Sequence, residues 1–180
     1  MSDLSSLTPG VWNIDQSHSL VGFTVRHLMI SKVRGSFHSF SGAITVADKI
    51  EDSKVEVSID LKSVSTGDAT RDGHLLSADI FNVEANPAMT FVSTGIESHG
   101  AEGKMHGTLT VNGVSKPVTL DVEFGGVGSD PWGGTRVGFT ANTEITRKEW
   151  GIDFNLPLET GGFVIGDKVK IDIDIEAVKA

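Results

Sequence analysis

The chain has six histidines, and their spacing decides whether a compact metal site is predicted. No two of them stand in an H-x-H or H-x-x-x-H arrangement and no HExxH motif occurs, so the local signature of a zinc site is missing. The lack of cysteine excludes disulfides, thiol nucleophiles and Cys-ligated zinc. A metal held by histidines far apart in sequence stays open, but we predict neither a metal nor a cofactor. The histidines are His18, His27, His38, His74, His99 and His106.

Other catalytic signatures are also missing. The sequence has no G-x-S-x-G nucleophile elbow and no G-x-x-x-x-G-K-[ST] phosphate loop. An enzyme acting on an apolar substrate would need an acid or base near its interior, and the residues to consider are His27, His74 and Arg147. We predict no catalytic residue and keep such an enzyme as an alternative.

The charge balance limits the classes of partner. Fifteen basic residues face 24 acidic ones, and the net charge is −9, so the chain repels a phosphate backbone and no nucleic-acid binding is predicted. No window approaches the ~20 apolar residues that span a bilayer, and the N-terminus lacks the basic start and apolar run of a secretory signal. These features predict a cytoplasmic protein with a flexible segment over 1–8 and a single domain over 9–180.

The elements that would position a site are strands with period-two alternation. The clearest are 55–62, 117–124 and 168–177, where every second residue is apolar and its neighbours are polar, as in antiparallel strands with one face in water. Asn112-Gly113 is a strong hairpin signal. About eight or nine such segments predict an all-β antiparallel barrel or sandwich.

Three segments depart from this pattern. Residues 67–81 predict one short helix, around 68–78, with Asp68 as its N-cap. His27–Ile30 is interpreted as a second helical turn. In the strand over 88–96 the apolar face is ambiguous, because either Met89 with Phe91 or Val92 with Ile96 could point inward.

The inward faces bear on function, because a barrel of about eight strands is either filled by its own side chains or holds one small ligand. Small residues on apolar faces would leave gaps that add up to a tunnel, and large neighbours would close them. A tunnel of aliphatic, Phe and Met side chains would select an apolar guest, since burial is worth about 0.8 kcal/mol per CH₂. The small residues are Gly107, Ala43, Ala141 and Ser93.

Five motifs, in order over residues 10–178, resemble the YceI-like family. The order, more than any single motif, makes the resemblance specific. The matching segments are WNIDQSHSLVGFTVRH over 12–27, GSFHSFSG over 35–42, TRDGHLLSADIFN over 70–82 with NPAMTF over 86–91, GTLTVNGVSKPV over 107–118, and ITRKEWG over 145–151.

The resemblance implies an extended lipocalin-like barrel over 9–180 that holds an isoprenoid or other long-chain lipid in its interior, as a carrier or sequestering protein without catalysis. It also allows for a homodimer. The alternatives are the enzyme considered above and an interaction module with a solid core. Three polar residues are candidates for a head group or the mouth: His27, Arg71 and Arg147. The candidate lining comprises Phe23, Phe40, Leu75, Leu76, Phe81, Met89 and Phe91 from the motifs, with Leu109, Leu120, Phe139 and Ile173 added from alternation.

Overall fold

The computed structural model describes residues 4–180, and most of them lie in strands. One α-helix, α1, spans Ala69–Leu76. The strands are β1 Gly10–Ile14, β2 Leu20–His27, β3 Ser31–Phe37, β4 Phe40–Val46, β5 Lys54–Asp60, β6 Val64–Ser65, β7 Ala88–His99, β8 Glu102–Val111, β9 Val114–Ser129, β10 Thr135–Thr146 and β11 Ile165–Lys179.

Eight strands form a closed ring in the order β1-β4-β5-β7-β8-β9-β10-β11, and β1 pairs with β11 to complete it. All of these pairings are antiparallel, so the predicted all-β antiparallel barrel of about eight strands is confirmed. The long β11 also pairs with β2, whose partner β3 continues to β6. The same edge of β11 therefore pairs with β2 in the first part of β11 and with β1 in the last part of β11.

The alternation in sequence becomes the two faces of the barrel wall. In β11 the isoleucines at 171, 173 and 175 line the interior, while Asp172 and Asp174 between them are exposed. The β8–β9 hairpin turns at Asn112 and Gly113, whose φ values of 54° and 72° are the left-handed ones that a type I′ turn requires. The predicted hairpin is therefore confirmed.

Helix α1 begins where the sequence indicated. The Asp68 carboxylate accepts a hydrogen bond from the Arg71 backbone N–H at 2.9 Å, which caps the helix N-terminus. The helix ends at Leu76, two residues before the predicted end, and the Ser77 hydroxyl donates to the His74 carbonyl oxygen. The predicted second helical turn at His27–Ile30 is wrong. These residues form the tight β2–β3 turn, with positive φ at Leu28 and Met29.

Packed side chains form a core at one end of the barrel. There Trp12, Val137 and Ala177 are buried, and Leu4 and Leu7 pack with them. The flexible segment predicted over 1–8 falls partly on residues 1–3, outside the described part. Of the remainder, Leu4 and Leu7 pack against the barrel core, whereas Ser6 and Thr8 are exposed. Within residues 4–180, no helix is long and apolar enough to cross a membrane.

Candidate ligand-binding cavity

A cavity of about 580 Å³ occupies the barrel interior. Its wall follows β11 from Ile165 to Ile175, a run of ten residue steps that spans roughly 30 Å at about 3.3 Å per residue. The volume divided by this length gives a mean cross-section of about 20 Å². The space is therefore much longer than it is wide, and the alternative of a solid core is wrong.

The wall is almost entirely apolar, and large residues fill some of the gaps expected at small ones. Ala141 lies on the wall. At Gly107 the missing side chain is replaced by the Phe91 ring, with which an added Cβ would collide. Ala43 is not on the wall, because on β4 its neighbour Ile44 is the residue that points inward. The Ser93 hydroxyl accepts from the Val55 backbone N–H at 2.8 Å.

A bulge explains the ambiguous strand over 88–96. Met89, Phe91 and Ile96 all line the cavity, whereas Val92 is exposed. The β7–β8 register shifts between Ser93 and Gly95, so one extra residue reverses the alternation and brings Ile96 inward. The candidate face of Met89 with Phe91 is therefore confirmed, and of the other candidate face only Ile96 points inward.

The structure brings most of the predicted lining together. Phe40 and Leu76 are exceptions: both pack in the hydrophobic cluster that contains Leu61, and neither lies on the cavity wall. A ligand contact for either residue is not supported. Nine predicted residues lie on the wall: Phe23, Leu75, Phe81, Met89, Phe91, Leu109, Leu120, Phe139 and Ile173.

Several wall residues were missed, although the same alternation marks them. Ile171 and Ile175 flank Ile173 on β11, and Ile145 follows Phe139 on the inner face of β10. Phe154 and Leu156 come from the irregular segment after β10. No period could have identified these last two, since the segment has no regular strand.

Polar side chains collect at the end of the cavity where β11 begins. His27, Arg71, His74 and Arg147 are all on the wall there. A second polar group on the wall, around the β7–β8 turn, comprises Glu97, Ser98, Glu102 and Lys104. Arg71 donates from Nε to the Thr66 hydroxyl at 2.7 Å and from Nη2 to the Thr66 carbonyl oxygen at 2.8 Å. A guanidinium has five N–H donors, so Arg71 has further donors beyond these two bonds.

Arg147 has a different position from the one predicted for a head-group ligand. It is 5% exposed, and its guanidinium donates to the carbonyl oxygens of Gly166, Ile152 and Phe154 at 2.8–2.9 Å. Burial lowers the pKa of this group, and Asp167, 3.8 Å away, partly opposes that shift. Arg147 therefore fastens the segment after β10 to the start of β11.

His74 is held by two neighbours. Its Nε2 lies 3.0 Å from a carboxylate oxygen of Asp79, and its ring meets the Phe154 ring edge-on at a centroid distance of 4.7 Å. The imidazole therefore links α1 to the irregular segment at the cavity end.

A cluster of acidic residues and histidine lies near the other end of β11. The possible ligand atoms of Asp15, His18 and Glu176 lie within 4.8 Å of one another. Arg136 donates from Nη1 to Asp15 and to Glu176 at 2.8 and 2.7 Å. Hydrogen bonds from the Ser17 hydroxyl, Arg136 and His18 hold the pKa of Asp15 well below its usual range. The Arg136 guanidinium already supplies the positive partner of these carboxylates, so the cluster does not require a metal cation.

The closed antiparallel ring with a long apolar interior defines a lipocalin-like barrel. The sequence profile of the YceI-like domain matches residues 12–177, and this chain belongs to the YceI-like family. Protein YceI of Salmonella newport is 41% identical over 163 residues, which cover 90% of this chain and 82% of that protein. The resemblance predicted from the motifs is therefore confirmed.

Solved structures share the fold. A YceI protein of Campylobacter jejuni superposes with a TM-score of 0.72 at 34% identity, covering 86% of this chain and 90% of that one. BcnA of Burkholderia cenocepacia gives a TM-score of 0.79 at 22% identity, covering 91% and 98%. A domain from Saccharophagus degradans, described as polyisoprenoid binding, gives 0.70 at 17% identity, covering 96% and 100%. Because BcnA and the Saccharophagus degradans domain are only 22% and 17% identical to this chain, their similarity shows a shared fold and no more.

Proposed function

We propose that the chain binds a long-chain apolar or amphipathic ligand, an isoprenoid or similar lipid, in the barrel interior, and that it carries or sequesters this ligand without catalysis. The observation that supports this most directly is the apolar cavity of about 580 Å³ that follows β11. The description of the Saccharophagus degradans domain as polyisoprenoid binding agrees with this ligand class.

The shape of the cavity favours a chain over a compact guest. A water-sized group occupies about 30 Å³, so 580 Å³ holds roughly 20 packed groups. At about 0.8 kcal/mol per buried CH₂, the gross gain is of order 15 kcal/mol before the costs of ordering the ligand. Affinity can therefore come from length alone, with little polar recognition along the wall.

The polar end suits a head group. His27 and Arg71 are on the wall near the start of β11, and the Arg71 guanidinium offers donors that fit an anionic or carbonyl oxygen. An amphipathic ligand would therefore place its polar end at this side and its chain along β11. Arg147 is a weaker candidate, because its donors are used by backbone carbonyl oxygens.

The enzyme alternative has less support. His74 is paired with Asp79 at 3.0 Å, an arrangement that a base and its orienting carboxylate share. However, Arg147 makes structural hydrogen bonds, and the YceI-like family membership favours a binding protein. His27→Ala and His74→Ala variants that retain ligand would leave the enzyme alternative without support.

Extraction of the purified protein tests the proposal. Organic extraction followed by mass spectrometry should release a long-chain lipid in stoichiometric amount, and protein refolded without lipid should recover it from a cell lipid extract. If neither preparation holds a stoichiometric lipid, the proposal is wrong. A cytoplasmic location and a homodimer stay predictions from the sequence, which cell fractionation and light scattering would test.

A further inference from the structure

Exposed apolar side chains cluster at the end of the barrel where β11 begins. Nine large apolar residues are exposed in the part of the chain that the structure describes, and five of them lie in the β2–β3 turn and the segment 156–163. Scattered exposed residues are ordinary, but a contiguous group marks an interaction surface. We call this group the mouth rim; it comprises Leu28, Met29, Ile30, Leu156 and Phe163.

Direct contacts join the two segments into one surface. The Leu28 backbone N–H donates to the Val164 carbonyl oxygen at 2.8 Å, and the Val164 N–H donates to the Leu156 carbonyl oxygen at 3.0 Å. The Met29 sulfur lies against Gly162, where an added Cβ would collide with it. Leu156 and Val164 also line the cavity, so the mouth rim is continuous with the interior.

The apolar residues of the β2–β3 turn stand in a backbone conformation that does not favour them. Leu28 and Met29 have φ values of 52° and 62°, and a left-handed conformation costs a residue with a side chain roughly 1–2 kcal/mol. The β8–β9 turn uses Asn112 and Gly113 at comparable φ values, which is the favoured choice. Two large, exposed apolar residues in place of Asn-Gly weaken the turn, and such strain is typical of functional segments.

Basic side chains lie beside the mouth rim. Arg26, Lys32 and Arg34 are exposed on the outer face of the β2–β3 hairpin, and within residues 4–180 they take part in no ion pair. Glu159 is the acidic residue of the 156–163 segment, and the exposed Asp167 on β11 is paired with Lys148 at 3.3 Å. In the described part of the chain, the three basic side chains beside the mouth rim are therefore left without a carboxylate partner, on a chain whose net charge is −9.

We propose that the mouth rim docks on the surface of an anionic lipid bilayer and places the opening of the cavity against the lipid. Apolar side chains beside basic ones match the acyl and headgroup layers of such a surface. The remaining negative charge of the chain would repel the same surface, so attraction is confined to one end and orients the barrel. A second copy fits less well, because a two-fold interface built on the mouth rim would place the unpaired basic residues of both copies in one contact region.

Vesicle co-sedimentation tests membrane docking and does not depend on ligand binding in the cavity. The docking proposal can therefore fail while the proposed function holds, and the proposed function can fail while docking holds. The full chain is mixed with vesicles of phosphatidylcholine alone or of phosphatidylcholine and phosphatidylglycerol in equal amounts. We expect binding to the mixed vesicles that weakens as salt is added, since exposed charges are screened.

The decisive variant is Leu28→Asn with Met29→Gly, which installs the residues that the turn geometry favours. We expect its unfolding midpoint to be unchanged or higher, and its affinity for mixed vesicles to fall at least tenfold, because two apolar side chains leave the membrane contact. The matched control is Trp132→Ser, which removes an 83% exposed apolar residue at the opposite end of the barrel and should bind as the parent does.

Charge variants separate the electrostatic part. Lys32→Gln with Arg34→Gln should weaken binding by roughly fivefold per charge removed, whereas Lys49→Gln with Lys54→Gln, at the far end, should not. No binding of the parent to mixed vesicles at low salt, or equal binding by the Asn-Gly variant, would overturn the proposal. A parent dimer that the Asn-Gly variant converts to monomer, without vesicle binding, would overturn it as well and would assign the mouth rim to a second copy.

Discussion

Filling the middle of the cavity should remove ligand binding while leaving the barrel folded. Ala141 lies on the inner face of β10 and on the cavity wall, opposite Ile173 on β11. The substitution Ala141→Phe adds a ring of six carbon atoms to the narrow interior. Because the cavity is long and thin, a guest chain has little room to pass around this ring.

The expected loss follows from the groups that the ring displaces. Six added carbon atoms exclude roughly four to six methylene groups of the guest, and each is worth about 0.8 kcal/mol when buried. The affinity should therefore fall by about 3–5 kcal/mol, or roughly two to four orders of magnitude. Stability should change little, since the ring extends into the cavity beyond the packed side chains that Ala141 contacts.

Thr140→Phe is the matched control, because it adds a similar ring to the neighbouring, exposed residue of the same strand. Native mass spectrometry gives the bound fraction, and displacement of a fluorescent polyene fatty acid gives the affinity. The parent and Thr140→Phe should retain lipid, and Ala141→Phe should lose it at an unchanged unfolding midpoint. Equal retention by a folded Ala141→Phe would refute the claim that the ligand lies along β11.

Further substitutions test the parts of the barrel that support the cavity. Arg147→Met should lower the free energy of unfolding by about 3 kcal/mol or more, because several buried carbonyl oxygens lose a charged donor; an unchanged urea midpoint would contradict this role. The lowered pKa of Asp15 predicts that stability falls as the pH drops below the ordinary carboxyl value of 3.8, since stability from a depressed pKa is lost on acidification. Arg136→Met should therefore lower stability near neutral pH and reduce its acid sensitivity, as urea midpoints measured against pH would show; an unaltered pH profile would argue against the ion cluster. Gly107→Ala should cost about 1–3 kcal/mol, because the added methyl group collides with the phenyl ring beside it, while Gly138→Ala, with nothing within 4 Å of its added Cβ, should melt as the parent does.

Periodicity predicted the barrel because every regular strand has an apolar face toward the interior and a polar face toward water. It failed where the backbone departs from that repeat. The bulge between Ser93 and Gly95 reversed the inward face of β7, and the irregular segment around Phe154 carried no period. The His27–Ile30 turn resembled a helix because its apolar residues gave no turn signal, although the backbone there is left-handed.

Long-range packing set the other limits. Phe40 and Leu76 have the same apolar character as the wall residues and pack in the same cluster as Phe23 and Leu75, which do line the cavity. No local pattern separates the two groups. Arg147 is a head-group candidate in the sequence because it lies in the ITRKEWG motif that resembles the family. Its burial depends on carbonyl oxygens up to 19 positions further along the chain, and no local pattern shows such a partner.

The pairing of β1 with β11 has a consequence for biosynthesis. Trp12 faces Lys179 across this seam, so the first strand of the barrel cannot join the last until the ribosome has released nearly the whole polypeptide. Contacts between the two ends of a chain also make folding slow. The nascent protein would therefore expose the apolar face of an open sheet through most of its synthesis. A chaperone or a lipid molecule would have time to bind this face before β1 pairs with β11.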